Sequence, residues 1–573
     1  MTSSILVLGA GMVGTCTALH LQQRGFDVVL VDRRAPGQET SFGNAGLIQR
    51  EAVEPYAFPR EPGFLLNVAL GRGAEVHWHA RGLWQMAGSL LRYLRHSHPE
   101  RHAQATEAYS RLIAHATDEH EPLIAAAGAQ DLVTREGFRF VFRTAEAFDE
   151  AAQRAEALHT RLGVRSQAEN TAQLAQAEPA LRLPLAGAVH WLDPWAVNDP
   201  GALVQRYADL FVARGGRLLT GDATSLQSQG LGWSVQTTEG RVQAEQVVLA
   251  LGPWADGLIR TLGYRFPLFI KRGYHQHYTS PAQVRQPILD AERGYVLAPM
   301  QRGLRLTTGA EFAPIDAPPT PVQLAKAEAL ARELIDLGQP LPEPPWLGAR
   351  PCTADMLPVM GPAPRHAGLW FNFGHSHQGF TLGPVAGRLL AEMVYHDGDT
   401  LPFGANRMRV AEAEFAFRMG RDLPPRATPY ALQEVLDAVS ELYLAIEIPD
   451  SRYTNFVTAG AAQLIADNAC AHCFVLGPKA PETWRHIDLS AHRVVGKVGD
   501  RLTREGIGAN VLGDPRIALT WIANELSTLG VTLAAGQTVT TGTCLVPLEI
   551  EPKDTVSMDF GVLGQVRCAF TNV

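Results

Sequence analysis

The fold of this chain is decided near its N-terminus by residues 5–32, which read ILVLGAGMVGTCTALHLQQRGFDVVLVD. Two apolar runs typical of buried strands flank a helix-length segment that begins with the pattern Gly9-x-Gly11-x-x-Gly14. Gly9 permits a tight turn, Gly11 permits the close approach of a pyrophosphate, and Gly14 permits helix–strand packing. Asp32 ends the second strand, where a carboxylate accepts hydrogen bonds from ribose hydroxyls. The stretch therefore predicts a Rossmann-like βαβ unit that binds a dinucleotide at a helix N-terminus.

The length and composition are those of a globular protein with more than one domain. The chain has 573 residues, 46% of them hydrophobic, and a formal net charge of -8. This charge provides no basic field for nucleic acid or anionic lipid, so we expect a small-molecule substrate and no nucleic-acid partner. The sequence contains no apolar run of the ~20 residues that span a bilayer, and the first strand begins too early for a signal peptide. We expect a cytoplasmic enzyme, with peripheral contact at the inner face of the membrane as the alternative.

The pattern of residues divides the chain into two units. Helical composition extends from about residue 62 to residue 186. Strand-like segments follow at 217–219, 232–237, 246–254, 294–297 and 304–309, the last two with the alternation of an antiparallel sheet. A turn-rich stretch at 396–406 then predicts a boundary near Asn406.

Five motifs in the first unit carry a family resemblance. They are Gly9-x-Gly11-x-x-Gly14 with Asp32, 40–46 (TSFGNAG), 247–254 (VVLALGPW), Trp346-x-Gly348-x-Arg350-Pro351 with Asp355 and Pro358, and 374–379 (GHSHQG). With them, residues 1–405 resemble the D-amino-acid dehydrogenase branch of the FAD-dependent amine oxidoreductases. The resemblance implies an α/β fold with a discontinuous FAD-binding part at about 1–60, 190–260 and 345–405. It also implies an α+β substrate part with a mixed or antiparallel sheet at about 61–189 and 261–344.

The same resemblance implies a reaction. Hydride passes from the α-carbon of a D-amino acid to FAD, and the imine product hydrolyses to a 2-oxo acid and ammonia. The electron acceptor is expected to be a quinone or an electron-transfer chain, with dioxygen as the alternative. Because the amine reacts in its deprotonated form, positioning and electrostatics carry most of the catalysis, and no general base is assigned.

The residues expected to bind the cofactor lie in the glycine motif, in the loop after Asp32 and at later loop–helix junctions. They are Gly9, Gly11, Gly14, Asp32, Thr40, Ser41, Asn44, Gly46, Gly252, Arg350, Gly379, Phe380 and Thr381. The amides at the last three positions could stabilise negative charge on reduced flavin. An ordinary glycine-rich turn at 40–46 and an ordinary loop-to-helix junction at 374–381 are the alternatives.

A substrate carboxylate calls for an arginine fork or a tyrosine hydroxyl. The candidates for substrate binding and catalysis are Tyr274, His275, Arg302, Arg350 and His377. Arg350 could equally be structural, and His375 and His377 could be hydrogen-bonded structural histidines. Arg305 alternates with Leu304 and Leu306, which predicts a solvated strand face for its side chain.

Three glutamates mark the unit after the boundary. Glu412 and Glu414 share one face of a predicted strand at 410–417 because side chains alternate along a strand, and Glu447 lies in a second apolar strand pattern at 444–448. Three carboxylates suit Mg²⁺ or Mn²⁺. Two glutamates on a solvated strand face are the alternative.

The last unit carries a resemblance of its own. Together with the glutamates, it rests on segments 466–469, 474–477, 508–515, 535–536 and 541–542. Residues 409–573 resemble the fumarylacetoacetate hydrolase and 2-keto-4-pentenoate hydratase family, which implies a β-rich domain whose glutamates hold a divalent metal that chelates 2-oxo acids. Family hydratases carry a preceding segment that contributes a catalytic lysine and an acid. In this chain the first unit runs directly into Glu412 instead, so we expect metal binding rather than turnover. A bifunctional dehydrogenase–hydratase and a non-catalytic assembly module for a homo-oligomer are the alternatives.

Overall fold

The computed structural model describes residues 4–71, 73–229, 232–366, 368–393, 395, 398–401, 403–404 and 406–571. The chain forms two compact units, the first Met1–Pro362 with Gly368–Ala391 and the second Ala363–Ala367 with Glu392–Val573. The division falls after Ala391, ahead of the stretch around Asn406 where the sequence predicts a boundary. Of that stretch, His396, Asp397, Pro402 and Ala405 lie outside the described residues.

The predicted βαβ unit is confirmed by strand Ser4–Leu8, helix Met12–Gln23 and strand Asp27–Asp32. The first strand lies between Asp27–Asp32 and Gln246–Leu249 and is parallel to both. Within the described residues the whole sheet has eight strands, in the order Gly240–Ala244, Gly232–Thr237, Arg217–Gln229, Asp27–Asp32, Ser4–Leu8, Gln246–Leu249, Leu369–Phe373 and Val359–Pro362. Because its central strands are parallel, their carboxyl ends meet at one edge, where such sheets bind ligands.

Two glycines allow the helix to follow the first strand so closely. Gly9 has a φ of +109°, and a Cβ atom on Gly14 would lie 1.8 Å from the Gly9 carbonyl oxygen. By contrast, a Cβ atom on Gly11 would meet only Ser41 Oγ, at 3.4 Å. Gly9 and Gly14 are therefore needed by the fold itself, whereas Gly11 leaves open space beside the helix N-terminus.

A second, mixed sheet completes the first unit. Its strands run in the order Val76–Trp78, Ala310–Phe312, Leu268–Tyr278, Gly303–Thr307, Tyr295–Met300, Ile288–Asp290, Phe138–Phe142, Gly187–Trp191 and Ser166–Asn170, with Trp346–Thr353 also paired to Leu268–Tyr278. A small sheet contains Leu47–Ile48, Trp195–Val197 and Val133–Thr134. The other helices of the unit are Pro62–Ala69, Ala80–His96, Pro99–Ala114, Ala116–Ala126, Ala145–Leu162, Thr171–Ala177, Pro200–Ala213, Ala255–Thr261, Val322–Leu334 and Gly379–Met393. None of the helices in the described part of the chain is long and apolar enough to cross a membrane.

The second unit is rich in β structure, as expected. One sheet runs in the order Cys473–Lys479, Val439–Ile448, Val410–Met419 and Thr538–Thr543, with Leu548–Glu549 beside Val410–Met419. The other runs in the order Thr400–Leu401, Gln565–Phe570, Thr555–Asp559, Arg493–Val498 and Leu502–Ile507. The helices are Leu432–Asp437, Ala461–Ala466 and Pro515–Thr528. Fully buried Phe415, Phe417 and Phe560 contribute to a continuous apolar core.

The glycine argument predicts opposite effects of one substitution in two helices. Gly14→Ala should destabilise the first unit by about 1–3 kcal/mol because its Cβ atom collides with backbone that cannot yield. Gly88→Ala is the matched control, since no heavy atom lies within 4 Å of its Cβ position in helix Ala80–His96. It should stabilise by about 0.5–1 kcal/mol. Calorimetric unfolding of both variants tests this, and equal effects would contradict it.

Candidate functional site

A cavity of about 980 Å³ opens in the first unit where the parallel strands end. Its wall contains Gly9 and Gly11 after the first strand, Asp32 at the end of the second, and Gly252 after Gln246–Leu249. Helix Met12–Gln23 begins at this wall, so its positive dipole end is available to a phosphate group. The opposite wall comes from the mixed sheet.

Most of the predicted cofactor residues meet in this cavity. Those that line it are Gly9, Gly11, Asp32, Thr40, Ser41, Asn44, Gly252, Arg350, Gly379 and Phe380. Gly14, Gly46 and Thr381 support the wall from behind. A Cβ atom on Gly46 would lie 2.2 Å from the Val197 carbonyl oxygen, and the Thr381 hydroxyl accepts a hydrogen bond from the Gln49 amide at 3.1 Å.

Asp32 holds the glycine turn in place. Its Oδ2 accepts a hydrogen bond from the Ala10 amide at 2.6 Å, and its Oδ1 accepts one from the Arg34 amide at 3.0 Å. Each carboxylate oxygen has a second lone pair, and the residue lines the cavity. Asp32 can therefore accept a ribose hydroxyl without releasing the turn.

The loop at 40–46 is fixed by side chains and by Arg305. Ser41 Oγ accepts a hydrogen bond from the Met12 amide at 3.1 Å, and the Thr40 hydroxyl donates to the Ala349 carbonyl at 2.9 Å. The predicted solvated position of Arg305 is wrong, because only 3% of that residue is exposed. Its guanidinium donates to the Phe42 carbonyl at 3.1 Å and the Asn44 carbonyl at 2.5 Å. The loop covers this strand face and supplies the acceptors that water would otherwise provide.

Arg350 dominates the mixed-sheet wall. Its strand pairs with Leu268–Tyr278, and its guanidinium lies across Gly273. A Cβ atom added to Gly273 would be 2.7 Å from Nη2 of Arg350. The guanidinium donates to the carbonyls of Gly309 at 3.0 Å and Thr308 at 3.4 Å. No carboxylate within the described ranges pairs with it, and burial lowers its pKa. An arginine has five N–H donors, so donors remain for a ligand carboxylate.

Two histidines line the cavity just before helix Gly379–Met393. Burial lowers the pKa of His375 to about 4 and the pKa of His377 well below its usual value, so both are neutral near pH 7. His375 Nε2 and His377 Nδ1 have no hydrogen-bond partner among the described residues. The His377 ring lies 5.0 Å from the ring of Tyr56, another cavity residue. Both imidazoles could therefore contact a ligand as uncharged groups.

The remaining sequence candidates have other partners. The Tyr274 hydroxyl accepts a hydrogen bond from the Thr320 amide at 2.7 Å and donates to Glu311 at 3.1 Å. His275 lies outside the described cavity wall and stacks on Trp346 with ring centroids 5.0 Å apart, and burial lowers its pKa to about 2. Arg302 is also outside that wall, with a half-exposed side chain paired to Glu343.

Lys271 also lines the cavity, although it is not among the candidates that the sequence motifs indicate. It lies directly opposite Arg350 across the paired strands. The available signal was a single lysine within the apolar strand pattern that begins Leu268-Phe269-Ile270. Its direction could not be read without the register of the partner strand.

The three glutamates of the second unit come together as expected. Glu412 and Glu447 face each other across adjacent strands, and one carboxylate oxygen from each of Glu412, Glu414 and Glu447 lies within 4.8 Å of the others. Burial, followed by the charge of Glu447, raises the pKa of Glu412 to about 7 and that of Glu414 to about 8. Glu414 accepts a hydrogen bond from the Gly542 amide at 3.2 Å. A divalent cation would relieve this repulsion, so the donor set fits Mg²⁺ or Mn²⁺.

The family model described as FAD dependent oxidoreductase matches residues 4–393. The chain belongs to the FAD-dependent oxidoreductase family. This oxidoreductase is 32% identical over 411 residues to a D-amino acid dehydrogenase of Cereibacter sphaeroides, an alignment that covers 68% of this chain and 91% of that protein. It is 30% identical over 407 residues to a D-amino-acid oxidase of Bradyrhizobium diazoefficiens, with coverage of 68% and 94%.

A solved structure and a second family model also match parts of the chain. Glycine oxidase from Geobacillus kaustophilus matches with a TM-score of 0.52 at 22% identity, covering 68% of the oxidoreductase and 94% of that chain, which shows a shared fold. Residues 390–571 match the fumarylacetoacetate (FAA) hydrolase C-terminal model. Both resemblances predicted from the sequence motifs are confirmed, as is the fold class of each unit.

The cavity of the oxidoreductase suits FAD. The glycine turn at Gly9 and Gly11, the Asp32 carboxylate and the N-termini of helices Met12–Gln23 and Gly379–Met393 lie at the cavity, and groups of these kinds suit phosphates, ribose and a reduced flavin ring. FAD, as the family's cofactor, supplies a hydride acceptor when bound.

The carboxylate cluster predicts a pH-dependent metal site in the second unit. Mn²⁺ affinity should rise between pH 6 and pH 8, because Glu412 and Glu414, with pKa values of about 7 and 8, must lose protons to act as ligands. Glu447→Gln should weaken Mn²⁺ binding at least about tenfold, measured by calorimetric titration. Glu505→Gln is the control, because Glu505 is an exposed partner of Arg493. Affinity unchanged by Glu447→Gln would contradict the site.

Proposed function

We propose that the first unit oxidises a D-amino acid, passing the α-hydrogen as hydride to FAD and releasing a 2-oxo acid and ammonia after the imine hydrolyses. The observation that carries the proposal is the Arg350 guanidinium, which lines the cavity without a carboxylate partner among the described residues. The similarity to a D-amino acid dehydrogenase and a D-amino-acid oxidase supports the substrate class.

Arg350 is the proposed partner of the substrate α-carboxylate. Its contacts with the carbonyls of Thr308 and Gly309 fix the plane of the guanidinium and leave N–H donors for a bidentate pair. Tyr274 and Arg302 are less suited, since their polar groups are engaged with Glu311 and Glu343 respectively. Substrate orientation would then be set by a group that is itself held rigidly.

The cavity also favours the reactive, uncharged form of the substrate amine. Arg350 and Lys271 place positive charge in its wall, and His375 and His377 contribute neutral imidazoles. A nearby positive charge lowers the pKa of an amine because it disfavours the ammonium form. Deprotonation on binding therefore needs no dedicated base.

For the second unit we propose a divalent metal held by Glu412, Glu414 and Glu447. The supporting observation is the close approach of the three carboxyl groups, with one oxygen of each within 4.8 Å of the others. A metal of this kind chelates 2-oxo acids, which is the class of product proposed for the first unit. Conversion of such an acid by the second unit and a purely assembling role remain the two alternatives, and a metal-dependent hydration assay with an unsaturated 2-oxo acid separates them.

The proposed reaction predicts stereospecific reduction of the flavin. Under anaerobic conditions, D-alanine, D-methionine or D-glutamate should bleach the flavin absorption band at least about 100-fold faster than the L-enantiomer, because only one enantiomer can present its α-hydrogen while its carboxylate is bound. Stopped-flow absorbance measures the rates. The matching control is one equivalent each of 2-oxo acid and ammonia per flavin reduced. Faster reduction of the flavin by the L-enantiomers would contradict the proposal, and so would a flavin that no amino acid reduces.

A further inference from the structure

Lys271 is a buried lysine to which the proposed reaction assigns no ligand group, and burial lowers its pKa. It lies opposite Arg350 on the adjacent antiparallel strand, so the two side chains emerge on the same face of the sheet. Both residues line the cavity, and Lys271 is only 8% exposed. The cavity wall therefore carries two cations side by side.

The ammonium group has few partners. Nζ donates to the Tyr93 hydroxyl at 3.3 Å, and that hydroxyl in turn donates to the Tyr56 carbonyl at 2.5 Å. The rings of Tyr93, Phe269 and Phe312 surround Nζ, with centroids at 4.8, 5.6 and 6.0 Å. An ammonium has three N–H donors, and Tyr93 is its one hydrogen-bond acceptor among the described residues. Donors are left for a ligand.

Several other arginines of this unit pair with a carboxylate, whereas buried Arg305 donates to the carbonyls of Phe42 and Asn44. Arg139 pairs with Glu169 at 2.9 Å, Arg143 with Asp290 at 2.9 Å, and Arg272 with Glu311 at 2.7 Å. Lys271 and Arg350 have none among the described residues, and a buried charge without a counter-charge is costly. Two cations of the cavity wall are therefore available to carboxylates of a ligand.

We infer that Lys271 binds a second carboxylate, so that the substrate is a D-amino acid with an acidic side chain. The inference rests on the proposed function, in which Arg350 takes the α-carboxylate. A D-amino acid with a neutral side chain would leave Lys271 unpaired, whereas D-aspartate or D-glutamate supplies one carboxylate to each cation. The aromatic rings around Nζ hold the ammonium in position to select for this second group.

Selectivity between acids and their amides tests the inference. The holoenzyme should have a kcat/KM for D-glutamate or D-aspartate at least about tenfold above that for D-glutamine or D-asparagine. Lys271→Met should lower this ratio by about 10- to 100-fold, and Lys271→Arg should restore part of it. Lys326→Met is the control, because Lys326 belongs to the same unit and donates to the carbonyls of Gly71 and Gly73. The flavin content of each variant reports its folding.

A binding measurement separates this inference from the proposed function. Glutarate and butyrate differ by one carboxylate, and their binding can be followed through perturbation of the flavin absorption without turnover. Tighter binding of glutarate that is lost in Lys271→Met supports the inference even if no D-amino acid is oxidised. An unchanged acid-to-amide ratio and an unchanged glutarate preference in Lys271→Met would overturn it, even if neutral D-amino acids reduce the flavin.

Discussion

The site of the first unit depends on one close contact, in which the Arg350 guanidinium lies across a glycine. Antiparallel pairing of Leu268–Tyr278 with Trp346–Thr353 brings Arg350 beside Gly273, and the missing side chain leaves the space that the guanidinium fills. The Thr40 hydroxyl binds the carbonyl of Ala349, next to Arg350, so the cofactor loop and the cationic wall are held together. In the proposed reaction, the same strand would position both the cofactor and the substrate.

Each unit brings ionisable groups of one sign close together, basic groups in the first unit and acidic groups in the second. In the first, Lys271 and Arg350 place positive charge in a cavity wall, and neither forms an ion pair with a carboxylate of the described residues. In the second, Glu412, Glu414 and Glu447 bring three carboxyl groups together, and burial, followed by the charge of Glu447, raises the pKa values of the first two. Uncompensated charge of either sign costs folding free energy, and a ligand of opposite charge recovers it. Each unit thus indicates its ligand through the charge that it lacks.

Local sequence patterns predict much of the fold and many of the candidate site residues. The βαβ unit follows from glycine spacing and two apolar runs. The placement of Glu412 and Glu414 on one face follows from the alternation of side chains in a strand, whereas the addition of Glu447 rests on the family resemblance. Arg305 and Lys271 could not be placed in this way, because their surroundings depend on which distant strands pair and in which register. Arg305 is covered by the loop after the second strand. Lys271 lies opposite Arg350 in the sheet, although several other strands separate the two residues along the sequence. Periodicity gives a side chain's face but not what covers that face.

The most direct test asks whether the guanidinium above Gly273 is the carboxylate site. Butyrate binding to the holoenzyme, followed by flavin absorption, should weaken at least about tenfold in Arg350→Met. Gly273→Ala keeps the arginine but occupies its place, and the flexible end of Arg350 can move aside without unfolding the strand. Gly273→Ala should weaken butyrate binding by a comparable factor, and the double variant should bind no more weakly than either single variant, because both substitutions remove the same interaction. Wild-type affinity in Gly273→Ala, or losses that add in the double variant, would contradict it.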